Sequence, residues 1–254
     1  RYFFRNTISM LNFLRRKSKN AKLFYDTEVH CHILPGVDHG ASDVENSLEM
    51  IKALIDLGIS RFICTSHTTA ETFENTPETL TQAYDVLCEA VKAEGLDIEL
   101  FASSEYRIDE YWDKMYAAGT LLPMPGNYIL MENSFQQELL QLDDLLFELM
   151  IKGYKPILAH PERYGYYSNR RHRYEKMHGQ GVKFQLNILS LAGFFGPMAR
   201  DNAMWLIKHE MVDMIGSDLH NVEQAHIIKD YIRSKDWSKI SKKLEPHIIN
   251  HLVK

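Results

Sequence analysis

Cysteine is scarce in this chain, and basic charge is not in surplus. Cys31, Cys64 and Cys88 stand at irregular spacing with no Cys-x-x-Cys pair, which excludes a disulfide framework or a cysteine-built zinc module. A phosphatase that attacks through cysteine needs an arginine closing the phosphate loop after it, and the corresponding positions hold Val37, Ala70 and Glu94. That mechanism is ruled out. No Walker-type glycine loop is present, so any phosphate belongs to a substrate and not to a resident nucleotide. A net charge of -5 argues against a general nucleic-acid binder. No apolar run approaches the ~18 residues that span a bilayer, and the opening stretch lacks the apolar core and small-residue cleavage site of a signal peptide. Stable membrane insertion is therefore not expected. The expected compartment is the reducing cytoplasm, with contact to the inner membrane face only through a partner.

What the chain does have is a repeating alternation. At 254 residues and 45% hydrophobic it can bury one α/β core. Residues 1–22 mix Phe3, Phe4, Ile8, Leu11, Phe13 and Leu14 with Arg15, Arg16, Lys17, Lys19 and Lys22, and read as a basic extension, a solvated tail or short docking helix in preference to a membrane-surface or partner-binding helix. Met10 is a candidate natural start. Residues 23–254 read as one domain. Its strands are expected at residues 23–29, 61–65, 97–103, 127–131, 155–159, 182–186 and 212–216. Helices are expected at 42–57, from about 76, and at 138–152, 199–210, 223–235 and 236–252, with Ser42 and Glu45 in capping-box spacing and Pro77 in a first turn. A polar, aromatic stretch lies around Asp109 and Trp112. No linker or low-complexity tract interrupts this pattern, which predicts a parallel barrel or open parallel sheet.

In such architectures chemistry gathers at the C-terminal strand ends. His30 and His32 alternate onto one face of the first strand, followed by Asp38 and His39; alone, this pair is equally well an exposed polar face. The second strand delivers His67, the third Glu105, the fourth Glu132, the fifth His160 and the seventh Asp218 and His220, while the sixth offers only Gln185 and Asn187. Any one of these could be an ordinary hydrogen-bonded or surface residue. Together they supply more donors than one tetrahedral ion needs, so two or three divalent ions are expected. Clustered divalent ions activate water and neutralise phosphoryl oxygens. Arg163 is placed to bind phosphate, its competing reading being a salt bridge to a carboxylate such as Glu162. His172, His178, His247 and His251 fall in helical stretches and read as surface residues.

The block from His30 to Asp38, Thr-Ser-His67, Glu105, Glu132, Ala-His160-Pro-Glu-Arg163 and Ser-Asp218-Leu-His220-Asn resembles the PHP (polymerase and histidinol phosphatase) superfamily, and within it the bacterial capsule and exopolysaccharide tyrosine-protein phosphatases. The similarity runs from about Leu23 to the C-terminus. It implies a distorted seven-stranded, TIM-like (βα)7 barrel, the PHP fold. It implies a trinuclear site usually described with manganese, iron, zinc or magnesium being alternatives. It also implies hydrolysis of phosphotyrosine on the tail of a cognate bacterial tyrosine kinase. On that resemblance His30, His32, His67, Glu105, Glu132, His160, Asp218 and His220 are ligands, with His39 able to join them, and Arg163, Asp218 and His220 are the catalytic set. Three departures stand out. His39 occupies a usual aspartate position, Glu28 replaces an aspartate, and residues 221–225 (Asn-Val-Glu-Gln-Ala) lack a second arginine. A small-molecule phosphomonoesterase of the histidinol-phosphatase type and a non-catalytic phosphotyrosine-binding member are the rival readings.

Overall fold

The computed structural model describes residues 21–253, so the expected basic extension and Met10 lie outside the described residues, apart from Ala21 and Lys22. Seven parallel strands follow one another in chain order around a nearly closed barrel, with helices in the connections. They are β1 (Thr27–Cys31), β2 (Arg61–Thr68), β3 (Glu99–Arg107), β4 (Tyr128–Glu132), β5 (Lys155–Ala159), β6 (Lys183–Asn187) and β7 (Met214–Gly216). The helices are α1 (Val44–Ile55), α2 (Pro77–Ala93), α3 (Glu110–Ala118), α4 (Leu142–Ile151), α5 (His172–Gly179), α6 (Ile188–Leu191), α7 (Gly196–Lys208), α8 (Val222–Tyr231) and α9 (Lys235–Leu244). The expected barrel class is borne out.

Several boundaries differ from expectation for physical reasons. Asp43, not Ser42, caps α1, because its carboxylate accepts the Asn46 N–H while the Ser42 hydroxyl donates to that same carboxylate. The stretch at 109–112 opens a helix, with Asp109 accepting the N–H groups of Tyr111 and Trp112. The strands β2, β3 and β4 run on through His67, Glu105 and Glu132, so these side chains stand on rigid strand and not in the loops beyond. The last expected helix stops at Leu244, and the residues after it turn under the barrel.

The interior is layered along its axis. At the N-terminal end of the strands, Val29, Ile63, Tyr128, Leu130, Ile157 and Met214 form an apolar plug with Val253 from the C-terminal segment. A larger apolar layer packs the outer strand faces against the helices. Between β1 and β7 the seam is closed by backbone bonds just past β7 (Asp218 N–H to His30 O, 2.7 Å; His32 N–H to Leu219 O, 3.0 Å) and, below them, by two buried polar side chains. Asn250 donates to Thr27 O (2.8 Å) and Ile215 O (2.7 Å) and accepts from Ile215 N (3.0 Å). Higher up, Glu28 Oε1 accepts the N–H groups of His30 and Ser217, each at 3.0 Å. Both satisfy backbone groups that would otherwise be buried unpaired.

Candidate metal centre

The top of the barrel is polar because the strand parity changes there. In β1 the register with β2 slips between Glu28 and Cys31, the mark of a bulge, and the Thr65 hydroxyl takes up the Cys31 N–H at 3.0 Å. The slip lets Val29 join the apolar plug while its neighbour His30 turns into the site. At β5 and after β7 the same re-aiming is done by backbone strain. His160 (φ 33°) and Asp218 (φ 50°) adopt left-handed conformations that cost non-glycine residues of order 1–3 kcal/mol. Gly216 makes room for the site, since a Cβ there would lie 2.6 Å from the His30 Cβ and 2.7 Å from the Gln185 amide.

The imidazoles are locked one by one. His30 Nδ1 donates to Gln185 Oε1 at 2.7 Å, and the Gln185 amide is itself oriented by donating to Leu186 O at 2.9 Å. His32 Nδ1 donates to Asp38 Oδ2 at 2.8 Å, and His220 Nδ1 donates to its neighbour Asp218 O at 2.9 Å. Each Nδ1 faces a pure acceptor, so each carries the proton and each Nε2 carries a bare lone pair.

Those lone pairs converge on more acceptors. The Nε2 atoms of His30 and His32 lie 3.3 Å apart. Glu105 Oε2 has His67 Nδ1 at 3.0 Å, His30 Nε2 at 3.2 Å and His32 Nε2 at 3.5 Å, yet no hydrogen bond. Asp218 Oδ1 stands 3.1 Å from His32 Nε2 and 3.4 Å from His30 Nε2. His220 Nε2 is buried without a partner. Acceptors pointed at acceptors in a buried space call for positive charge among them, as protons or as a metal ion. The titration behaviour says the same. Burial opposes charge on His30, but the Glu105 and Asp218 carboxylates prevail and raise it to about 9, so protons fill the cluster when nothing else does. His220, by burial and the nearby His32, is pushed down to about 3 and stays neutral. The residues present therefore fit divalent metal.

Three donor groups can be recognised among the described residues: His30, His32, Glu105 and Asp218; His32, His67 and His220; His67, Glu105 and Glu132. They share His32, His67 and Glu105. His160 adjoins them, with Nε2 3.0 Å from Glu105 Oε1 and 3.5 Å from Glu132 Oε1. His39 stands apart, an exposed residue at the mouth, its ring stacked on His220 (4.6 Å between centroids) and tilted against His67 (4.7 Å). Burial, and then the neighbouring His67 and His32, keep it neutral by lowering its pKa.

Arg163 bonds to Asp218 Oδ2 at 2.8 Å and not to Glu162, which is buried and instead accepts from Ser190 and Asn187. Asn187 also donates to Asp218 Oδ2, at 3.0 Å. Asp218 thus spends one oxygen on positioning and turns the other toward His30 Nε2 and His32 Nε2. Above the cluster opens a cavity of about 890 Å3 lined by Phe73, Arg107, Phe135, Arg163 and Phe195 among others. The segment after His220 supplies no cation there: Asn221 caps α8, and Gln224 accepts the His220 N–H at 2.7 Å. Of the outlying histidines, His178 is not a free surface residue, since its Nε2 meets Asp213 at 3.0 Å.

Sequence reasoning missed the supporting roles of Gln185, Asn187, Asp38 and Arg107. Inward parity along β6 and β3 was the available signal, because Gln185 and Asn187, like Glu105 and Arg107, are two apart.

The family model for capsular polysaccharide synthesis, CpsB/CapC, matches residues 26–250. The chain belongs to the CpsB/CapC family. Among relatives of this CpsB/CapC chain, the tyrosine-protein phosphatase YwqE of Bacillus subtilis is 31% identical over 197 residues, covering 77% of this chain and 78% of YwqE. The tyrosine-protein phosphatase CpsB of Streptococcus pneumoniae is 26% identical over 231 residues, covering 85% and 93%. A solved structure from work on YwqE and CpsB, called unique metal-dependent tyrosine phosphatases, aligns with a TM-score of 0.72 at 27% identity, covering 87% of this chain and 93% of that one.

Proposed function

We propose that this chain is a metal-dependent phosphoric monoester hydrolase acting on phosphotyrosine in proteins, its substrate being the tail of a bacterial tyrosine kinase that governs capsular or exopolysaccharide synthesis. The observation that carries the reading is the buried convergence of His30 Nε2, His32 Nε2, Glu105 Oε2 and Asp218 Oδ1, a donor set that a divalent cation would satisfy in place of protons. Membership of the CpsB/CapC family supports the substrate class. Two or three divalent ions, manganese first, would be held by His30, His32, His67, Glu105, Glu132, His160, Asp218 and His220, with His39, whose ring stacks on His220, able to join them. Among the described residues no helix is long and apolar enough to cross a membrane. The proposed setting is cytoplasmic, with any approach to the membrane made through the partner.

When bound, the ions would supply Lewis-acid polarisation of the ester and activation of the attacking water. The chain's own residues do the positioning. Arg163 is fixed from one side by Asp218 and from the other by the Phe195 ring, whose centroid lies 4.0 Å from its guanidinium carbon. So held, it presents its remaining N–H groups to phosphate oxygens at little entropic cost. Gln185, Asp38 and Asn187 keep the imidazole and carboxylate donors in register. At about 890 Å3 the cavity lies toward the upper end of ordinary ligand pockets and suits a tyrosyl side chain with flanking backbone.

The test is phosphate release from a phosphotyrosyl peptide by the manganese-loaded protein, expected to vanish in His30→Ala and His160→Ala. Full activity in both variants would refute the metal assignment. Faster turnover of a small phosphate ester would favour the histidinol-phosphatase type. Tight peptide binding without release under any divalent metal would mark a non-catalytic binder, the reading that His39 motivates.

A further inference from the structure

Among the residues lining the cavity above the metal cluster, the cations are Arg107 and Arg163. They are arranged as a pair. Both lie against the Phe135 ring, with the Arg163 guanidinium carbon 4.9 Å and the Arg107 guanidinium carbon 5.9 Å from its centroid. Each is tethered through Nη1 to a carboxylate of the donor groups below: Arg163 to Asp218 Oδ2 at 2.8 Å, Arg107 to Glu132 Oε2 at 2.9 Å. Both remain partly open to the cavity, with side chains 30% (Arg107) and 21% (Arg163) exposed. The strand register explains Arg107. It lies two residues beyond Glu105 on β3, so it shares the inward face, and it pairs directly with Glu132 on β4.

We propose that Arg107 is a second substrate-binding arginine, which together with Arg163 grips the phosphoryl group of the aryl phosphate from the side opposite the metal cluster. The inference deepens the phosphatase reading and rests on it. A phosphoryl group carries charge on three non-bridging oxygens, more than one guanidinium fork can engage, and a second fork against the same aromatic ring fits that demand. If Arg107 served only to neutralise Glu132, burial with its partner would suffice, and exposure into the cavity beside Arg163 would have no use. Phe135 serves both arginines as a shared cation-π contact.

The experiment uses the full chain loaded with manganese, and compares wild type, Arg107→Gln and Arg107→Lys. Inorganic phosphate binding is read by calorimetry, kcat and KM are read on a phosphotyrosyl peptide, and the bound metal is counted. Arg107→Gln is expected to weaken phosphate binding about tenfold or more with metal content unchanged, and to raise KM more than it lowers kcat. Arg107→Lys, which keeps the charge and the Glu132 contact but not the fork, should recover part of the loss. Phosphate binding within twofold of wild type in Arg107→Gln overturns the proposal, and so does a loss explained entirely by lost metal, which would leave Arg107 a support for Glu132. Undetectable phosphate binding by the wild type also overturns it. Because phosphate binding is read without turnover, an inactive wild type that binds phosphate through Arg107 would sink the phosphatase reading and leave this one standing.

Discussion

Gln185→Met tests the idea that the site is built by locking imidazole tautomers. Gln185 is fully buried; its Oε1 accepts the His30 Nδ1 proton at 2.7 Å and its Nε2 is spent on Leu186 O. Methionine matches the side chain in length and flexibility but offers no useful acceptor. His30 would then keep a buried N–H without a partner, a cost of about 1–3 kcal/mol, or move the proton to Nε2. The second course is open because Glu105 Oε2, at 3.2 Å, would accept it. It places a proton on the one nitrogen that points at the cation. Loss of such an orienting partner lowers metal affinity about 10–100-fold, which corresponds to about 1.4–2.8 kcal/mol. The measurement is competition for manganese between the protein and a fluorescent chelator of known affinity, with urea unfolding of the metal-free protein run alongside to separate the cost in fold from the cost in binding. An affinity within twofold of wild type would show that Gln185 does not govern His30, and the tautomer argument would fall.

Three further outcomes follow from the same geometry. Chelating the metal should lower stability as well as activity, by about 2.7 kcal/mol relative to protein held at one hundred times its dissociation constant; an unchanged urea midpoint would mean that the buried donors are content without a cation. Asn250→Ala removes three hydrogen bonds at the β1–β7 seam and should cost about 3–6 kcal/mol in urea unfolding, whereas a cost under about 1 kcal/mol would show that water replaces the amide. Asp213 lies away from the site and is held below its ordinary value of 3.8: burial opposes this, but His178 and Lys183 prevail, helped by the Phe184 N–H. The sign is that of a depressed acid. Its contribution is full above 3.8 and is lost as pH falls through the lower folded value, so Asp213→Asn should be less stable than wild type at pH 7 and the gap should close below pH 4. A gap that is constant with pH would refute the ion-pair reading.

The inventory of the site was legible in the sequence because it depends on two local rules. Alternation along a strand put His30 and His32 on one face, and the parallel topology put His67, Glu105, Glu132, His160, Asp218 and His220 at one end. Barrel closure then gathered most of these residues into three overlapping donor groups whose ligand atoms lie within 4.8 Å of one another, with His160 adjoining and His39 at the edge. What no local rule could supply is which residue holds which. Gln185 orients His30 from 155 positions away, and Asp218 is shared between Arg163, 55 positions distant, and the cluster. Glu162 was the nearer partner for Arg163 in sequence, yet burial beside Ser190 turns it away. The left-handed turns at His160 and Asp218 are also tertiary, since alternation alone would aim those side chains differently and only closure of the barrel compensates for the strain. Sequence by itself named the candidate donors, determined the parallel α/β architecture and ruled out a cysteine nucleophile, all of which rest on residue type and short-range periodicity. Tertiary structure decided the hydrogen-bond partners of the imidazoles, the place of Arg107 beside Glu132 and the polar seam, because each is a contact between strands or segments whose separation along the chain carries no local signal.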